Sequence, residues 1–195
     1  MSSETLEDEP IARRRILDAA RARFESAGYK GTSIAHVARE AGVAVGTVYR
    51  HFENKEAMLV SVLRETNERW LETARAALSS SGTAIERMMR IAEASVVFNR
   101  ENQLLNAIWT RNADFIVEPL LNDLYRWAFA QNVALVAEVI RDGIAEGTLR
   151  DCDPDRTAYV LFNFGHSVFG QKDVPYSDLV PTMTDIILNG IRERD

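Results

Sequence analysis

A chain of 195 residues, 46% of them hydrophobic, can bury one sizeable core or join a small module to a larger helical domain, and the second arrangement is expected here. No stretch reaches the roughly 20 apolar residues that span a bilayer, and the first residues are acidic where a secretory signal is basic and then apolar, so a cytoplasmic protein with no membrane partner is expected. The net charge of −6 argues against a uniformly basic surface, yet it is unevenly spread: residues 1–9 carry four acids and no base, residues 10–60 nine bases against five acids, and residues 61–195 fourteen bases against twenty acids. A basic patch on one short segment is the electrostatic footprint of a nucleic-acid contact, and the acidic remainder is repelled by phosphates.

The periodicity predicts an all-α chain. Residues 1–9, MSSETLEDE, lack any apolar period and read as a disordered acidic tail. Pro10 suits a first helical position. Ile16, Leu17, Ala20 and Phe24 then form one apolar stripe, with Arg13, Arg14, Arg15, Arg21 and Arg23 mostly on the other side, until Gly28 offers a left-handed stop. Ile34, Val37, Ala38 and Ala41 repeat the helical spacing, with Thr32 placed to cap them. Gly42 breaks that run, and Val43 and Val48 resume an apolar side one turn later.

Two short helices around a tight turn make a helix-turn-helix unit, so residues 10–55 are expected to form a three-helix DNA-binding domain. The start of its second helix enters the major groove in such units, and here that start is small: Ala44, Val45, Gly46. Val45 suits a thymine methyl group, and Arg50 a guanine or a phosphate. Thr47, Tyr49, His51 and Lys55 suit phosphate oxygens, which set position and affinity without reading sequence.

Asn54 is placed to cap a fourth helix with Leu59, Val62, Leu63, Thr66, Trp70, Ala74 and Leu78 on one face. Running to the SSSG of residues 79–82, it spans about 25 residues, or about 37 Å, enough to join the small head to a helical body over residues 56–195. Helices are expected in that body near 83–100, 101–113, 117–147, 154–170 and 176–193. Gly147 suits a helix stop, and Asp153 followed by Pro154 a cap and first position.

The run GTSIAHVAREAGVAVGTVYRHFENKEAML, residues 31–59, resembles the N-terminal domain of the TetR family of one-component transcriptional repressors, above all in its GVxxGTxYxHFxxKE core. The resemblance covers residues 10–60 and implies a regulator of double-stranded DNA that reads a palindromic operator, with no cofactor and no metal. It puts Thr32, Ser33, Thr47, Tyr49, His51 and Lys55 at phosphates, and Val45, Gly46 and Arg50 where bases are read. One residue departs from the pattern: Ala44 stands where the family often has Ser or Thr. The missing hydroxyl cap costs about 1 kcal/mol, so the recognition helix is expected to be looser before DNA orders it.

One helix pair makes too few contacts for specificity, and a two-fold homodimer that sets two recognition helices about 34–36 Å apart is the usual remedy. Leu161, Gly165 and Val168 form one candidate seam and Leu179, Met183, Ile186, Ile187 and Gly190 another; ordinary intrachain core is the alternative. The resemblance points to the same two helices, and it implies a small-molecule effector held in the body between the fourth and eighth helices. Trp70, Met88, Asn99, Trp109, Trp127, Gln131, Phe162 and His166 are the candidates to touch it, with Asn132 and Asn163 as further polar groups on apolar faces. Together they favour a largely apolar or aromatic ligand with a few hydrogen-bonding groups. The rival reading is a DNA-binding regulator without an effector, whose body serves dimerisation or a protein partner alone.

Enzymatic chemistry is not expected. HExxH, GxSxG and a phosphate-cradling glycine loop are all missing from the sequence, and His36, His51 and His166 are scattered over separate segments. Cys152, the single cysteine, lies between two acids, Asp151 and Asp153, and no catalytic role is expected of it.

Overall fold

The computed structural model of the protein describes residues 4–102, 104, 120–168 and 176–191. These form the helices α1 (Glu4–Gly31), α2 (Ile34–Ala41), α3 (Val45–His51), α4 (Lys55–Leu78), α5 (Ala84–Glu101), α6 (Leu120–Ala145), α7 (Pro154–Val168) and α8 (Tyr176–Ile191). The expected segment at 101–113 lies almost wholly outside the described residues. The elements fall into two compact units. The first holds α1 to α3 and α4 as far as Thr66; the second holds α4 from Asn67, α5, α6 from Tyr125, α7 and α8. The division thus lies within α4 rather than between residues 55 and 56. Met58, Leu59, Val62 and Leu63 are buried, so the first turns of α4 belong to the core of the head.

In the first unit, Ile16, Leu17, Ala20 and Phe24 are buried, as the stripe in α1 requires. The helix starts earlier than its proline suggests: it runs from Glu4, and Pro10 lies inside it. An acidic first stretch is favourable at a helix N-terminus, and Pro10 forfeits a bond only to the carbonyl of Leu6, close to the end. Gly28 interrupts the segment at φ 67, a left-handed value that a residue with a Cβ adopts only under strain, so the stop falls where the sequence puts it. Arg21 is not a solvated base. Its side chain is 14% exposed, and it donates to Glu65 Oε2 at 3.0 Å and to Thr66 Oγ1 at 2.9 Å, tying α1 to α4; Arg14 also pairs with Glu65.

Asn54 caps α4 through its side chain, which accepts from Ala57 N at 2.7 Å. In the second unit, Thr83 and Glu86 form a reciprocal capping box at the start of α5. Glu146 accepts from Ala84 N at 2.8 Å, while Arg87 spans Asp142 at 2.8 Å and Glu146 at 2.5 Å, so the head of α5 is fastened to the tail of α6. Backbone bonds from Gly147 and Thr148 to Ile144 and Gly143 close α6, and Asp153 caps α7 ahead of Pro154 through Arg156 N at 3.0 Å. The core of the unit gathers Ala137, Ile140, Leu149 and Ala158, with Met88, Cys152 and Leu161 among the side chains packed on it. The helix α8 packs on α5 and α7. No described helix is long and apolar enough to cross a membrane.

Candidate nucleic-acid interface and effector-domain core

The turn between α2 and α3 is set by local chemistry. Ser33, with extended backbone at φ −123, caps α2 by accepting from His36 N at 3.3 Å. The cap is therefore Ser33 and not Thr32. Thr32 is 2% exposed, and its hydroxyl donates inward to the Gly28 carbonyl at 2.8 Å, so as a side chain it does not face a phosphate while Ser33 remains exposed. Gly42 ends α2 at φ 64, and its N–H reaches the Ala38 and Arg39 carbonyls. The next helix begins at Ala44, which makes no side-chain cap bond.

Val48 is fully buried and fixes the rotation of α3. The opposite side then faces outward: Val45 is 43% and Tyr49 54% exposed, and Gly46 and Arg50 are exposed too. A Cβ built at Gly46 would meet nothing within 4 Å, so the backbone is open to close approach there. Arg50 Nη2 donates to Thr47 Oγ1 at 3.2 Å, holding the guanidinium along the outer face. Thr47 and His51 are half-buried. The helix ends at Phe52, a buried ring with the Arg13 guanidinium 5.4 Å from its centroid.

Lys55 is engaged within the protein. Its ammonium donates to the Tyr29 and Thr32 carbonyls, each at 2.9 Å, and lies 4.0 Å from the Tyr29 ring centroid. The Tyr29 hydroxyl donates in turn to Glu56. Burial, then that hydrogen bond, push the Tyr29 hydroxyl above its usual range, while the same bond holds the Glu56 carboxyl below its usual range. Lys55 thus ties the carbonyl of Tyr29, near the end of α1, which also accepts from Thr32 N at 3.3 Å, to that of Thr32 ahead of α2. Tyr29 and Glu56 were not singled out from the sequence, where nothing shows that residues this far apart meet.

The effector candidates fall into several environments. Trp70 is half-buried, stacks at a tilt on Phe98 with centroids 5.4 Å apart, and donates from Nε1 to Asn132 Oδ1 at 2.5 Å. Met88 packs on the apolar core of the unit. Asn99 donates to the Ser95 carbonyl at 2.8 Å, and its Oδ1 is buried without a partner. Phe162 is half-buried and meets Phe129 edge-on at 5.2 Å; Trp127 is half-buried. Gln131 and Asn163 are exposed, the latter donating to the Tyr159 carbonyl at 2.8 Å. Trp109 and the side chain of His166 lie outside the described residues. Buried Asn67, on the α4 stripe between Leu63 and Trp70, was overlooked, although a polar residue at that spacing is itself a signal.

Of the seam residues, Leu161 turns inward onto the core formed by Ala137, Ile140, Leu149 and Ala158. The exposed large apolar side chains of α7 are instead Tyr159, Val160 and Phe164, at 55%, 62% and 39% exposure, and on α8 Ile186 is 56% exposed. Gly165 and Leu179 are half-buried and Gly190 is exposed; the side chains of Val168, Met183 and Ile187 lie outside the described part.

The pattern for bacterial regulatory proteins of the tetR family matches residues 16–62, from the middle of α1 into α4. Over 149 residues the chain is 30% identical to the HTH-type transcriptional regulator YhgD of Bacillus subtilis, covering 75% of this chain and 76% of that protein. It is 25% identical over 166 residues to the HTH-type transcriptional repressor KstR2 of Mycolicibacterium smegmatis, covering 80% of this chain and 75% of that one. Among solved structures, a transcriptional regulator from Saccharomonospora viridis in complex with choline superposes with a TM-score of 0.75 at 27% identity, over 95% of this chain and 100% of that chain. A buried Val48 beneath an exposed α3 face, a long α4 and a helical second unit all accord with these relatives, and the chain belongs to the TetR family of DNA-binding transcriptional regulators.

Proposed function

We propose that the protein is a dimeric, cytoplasmic repressor that reads an inverted-repeat operator in the major groove and leaves it when a small, largely apolar or aromatic effector binds the second unit. The observation that carries the DNA half is the face of α3: Val45, Gly46, Tyr49 and Arg50 exposed above a fully buried Val48. On this reading Val45, Gly46 and Arg50 meet base edges, while Ser33, Thr47, Tyr49 and His51 meet phosphates. Lys55 and Thr32 serve by holding α1, α2 and α4 in register, with one ammonium proton of Lys55 left for a phosphate. Tyr159, Val160, Phe164 and Ile186 supply the apolar surface for a second copy, since exposed large side chains on adjacent helices call for cover. The repressor role of KstR2 and the choline held by the Saccharomonospora viridis regulator support repression and a small-molecule effector.

Effector binding changes α4, which is one uninterrupted helix from Lys55 to Leu78, and so the spacing of the two heads. Such coupling is reciprocal: operator DNA weakens effector binding by the factor that effector weakens DNA binding. Selection of random duplexes by the purified protein at physiological salt tests the operator half. An inverted repeat with half-site centres about one helical turn apart is expected. A bound pool with no motif, whose binding merely fades with salt, rejects it.

A further inference from the structure

The second unit buries a small set of uncharged polar side chains: Asn67 at 1% exposure, Asn132 at 3%, Asn102 at 7% and Ser95 at 9%. Most are matched internally. Ser95 Oγ donates to the Ala92 carbonyl at 2.7 Å and Asn102 Nδ2 to the Phe98 carbonyl at 2.7 Å. Asn132 is fully used: Nδ2 donates to the Ala128 carbonyl at 2.7 Å and to Asn67 Oδ1 at 3.4 Å, and Oδ1 accepts from Trp70. Asn67 is the exception, for its Nδ2 is buried with no partner. Asn99 is its complement on α5, with Nδ2 satisfied and Oδ1 buried without a partner. A buried amide left unmatched bears the whole penalty of its desolvation, and native proteins keep few of them without a reason.

Trp70, one turn along α4 from Asn67, meets the ring of Phe98, the residue before Asn99 on α5. An aromatic pair is thus flanked in sequence and on both helices by an unspent donor and an unspent acceptor. We infer that Asn67 and Asn99 are the polar recognition groups of the effector site, and that its ligand is an uncharged molecule with an apolar body and a carboxamide-like end, whose oxygen accepts from Asn67 and whose N–H or O–H donates to Asn99. This deepens the effector reading proposed above and rests on it. A carboxylate would satisfy Asn67 and confront the Asn99 oxygen; an ammonium would satisfy Asn99 and confront the Asn67 amide. Neither charge finds a buried counter-ion in this set; the Arg87 guanidinium pairs through Nη1 and Nη2 with Asp142 and Glu146, its Nε being buried without a partner, so its charge is already opposed by two carboxylates.

The test is calorimetric titration of the full chain with 4-phenylbutanamide, 4-phenylbutanoate and butylbenzene, repeated on Asn67→Leu and Asn99→Leu. The amide is expected to bind the wild type about 10-fold more tightly than either of the others, and each variant to lose about that factor for the amide while holding butylbenzene within about twofold. Equal binding of all three probes, binding of none, or preference for the carboxylate overturns the inference. Release of operator DNA is read separately. Amide binding without release leaves the site standing and removes the effector reading, whereas release by a compound that binds both variants as well as wild type keeps the effector reading and removes this site.

Discussion

At the scale of the residue, Lys55 and Tyr49 separate two ways of supporting DNA binding. Lys55 holds the Tyr29 and Thr32 carbonyls, so Lys55→Met is expected to cost about 1–2 kcal/mol of stability as well as affinity for every sequence. Tyr49→Phe, at a 54% exposed position, is expected to reduce affinity uniformly with no change in denaturant midpoint. Chemical denaturation beside filter binding checks both. Arg50→Ala is expected to flatten preference at one base pair in each half-site, by about 1–3 kcal/mol, when the selection is repeated on the variant. Equal losses on all sites would return Arg50 to the phosphates. The Tyr29–Glu56 bond adds a pH signature. Because the folded carboxyl titrates below its unfolded value of about 4.3, its contribution is fully present above that value and is lost as the pH falls through the folded one. Tyr29→Phe is thus expected to be less stable than wild type by about 1 kcal/mol or less at pH 7, since the pair is partly solvated, with the two unfolding curves converging as the carboxylate is protonated in acid.

At the scale of the element, most of the fold was legible because the chain marks helix ends with local chemistry. Asn54, Thr83, Asp153, Gly28 and Gly42 all act within a few residues of themselves, so their sequence positions suffice. Where tertiary contacts decide, the sequence was mute. Thr32 and Ser33 both suit a cap, and burial of Thr32 against Gly28 chose between them; Leu161 suits a seam, and the rotation of α7 turned it to the core while Tyr159, Val160 and Phe164 stayed outside. The outward face of α3 was readable from a single period, since burying Val48 leaves no choice for its neighbours. Ala44 leaves α3 without a side-chain cap, so Ala44→Ser is expected to stabilise the protein by about 0.5–1 kcal/mol without altering the selected operator motif. Gly143 is tight for a different reason: an added Cβ would lie 2.5 Å from Leu149 Cδ1 and 2.8 Å from Ala84 Cβ. Gly143→Ala is expected to cost about 1–3 kcal/mol, measured by thermal unfolding.

At the scale of the whole molecule, the assembly is the property most open to test. Val160 is 62% exposed, so Val160→Glu is expected to leave the fold intact, yield monomers in sedimentation and reduce binding to that of a single half-site. A variant that stays dimeric would move the interface off this face. The division within α4 has a further bearing. Thr66 takes a hydrogen bond from Arg21 of α1, while the next residue, Asn67, takes one from Asn132 of α6, so neighbouring residues on one helix answer to different cores. For anyone grafting a new DNA-reading head onto the second unit, the natural seam is then the peptide bond between Thr66 and Asn67, in mid-helix. A junction placed in the SSSG loop would instead carry Asn67, Leu71 and Ala74, all buried in the second unit, away with the donor head.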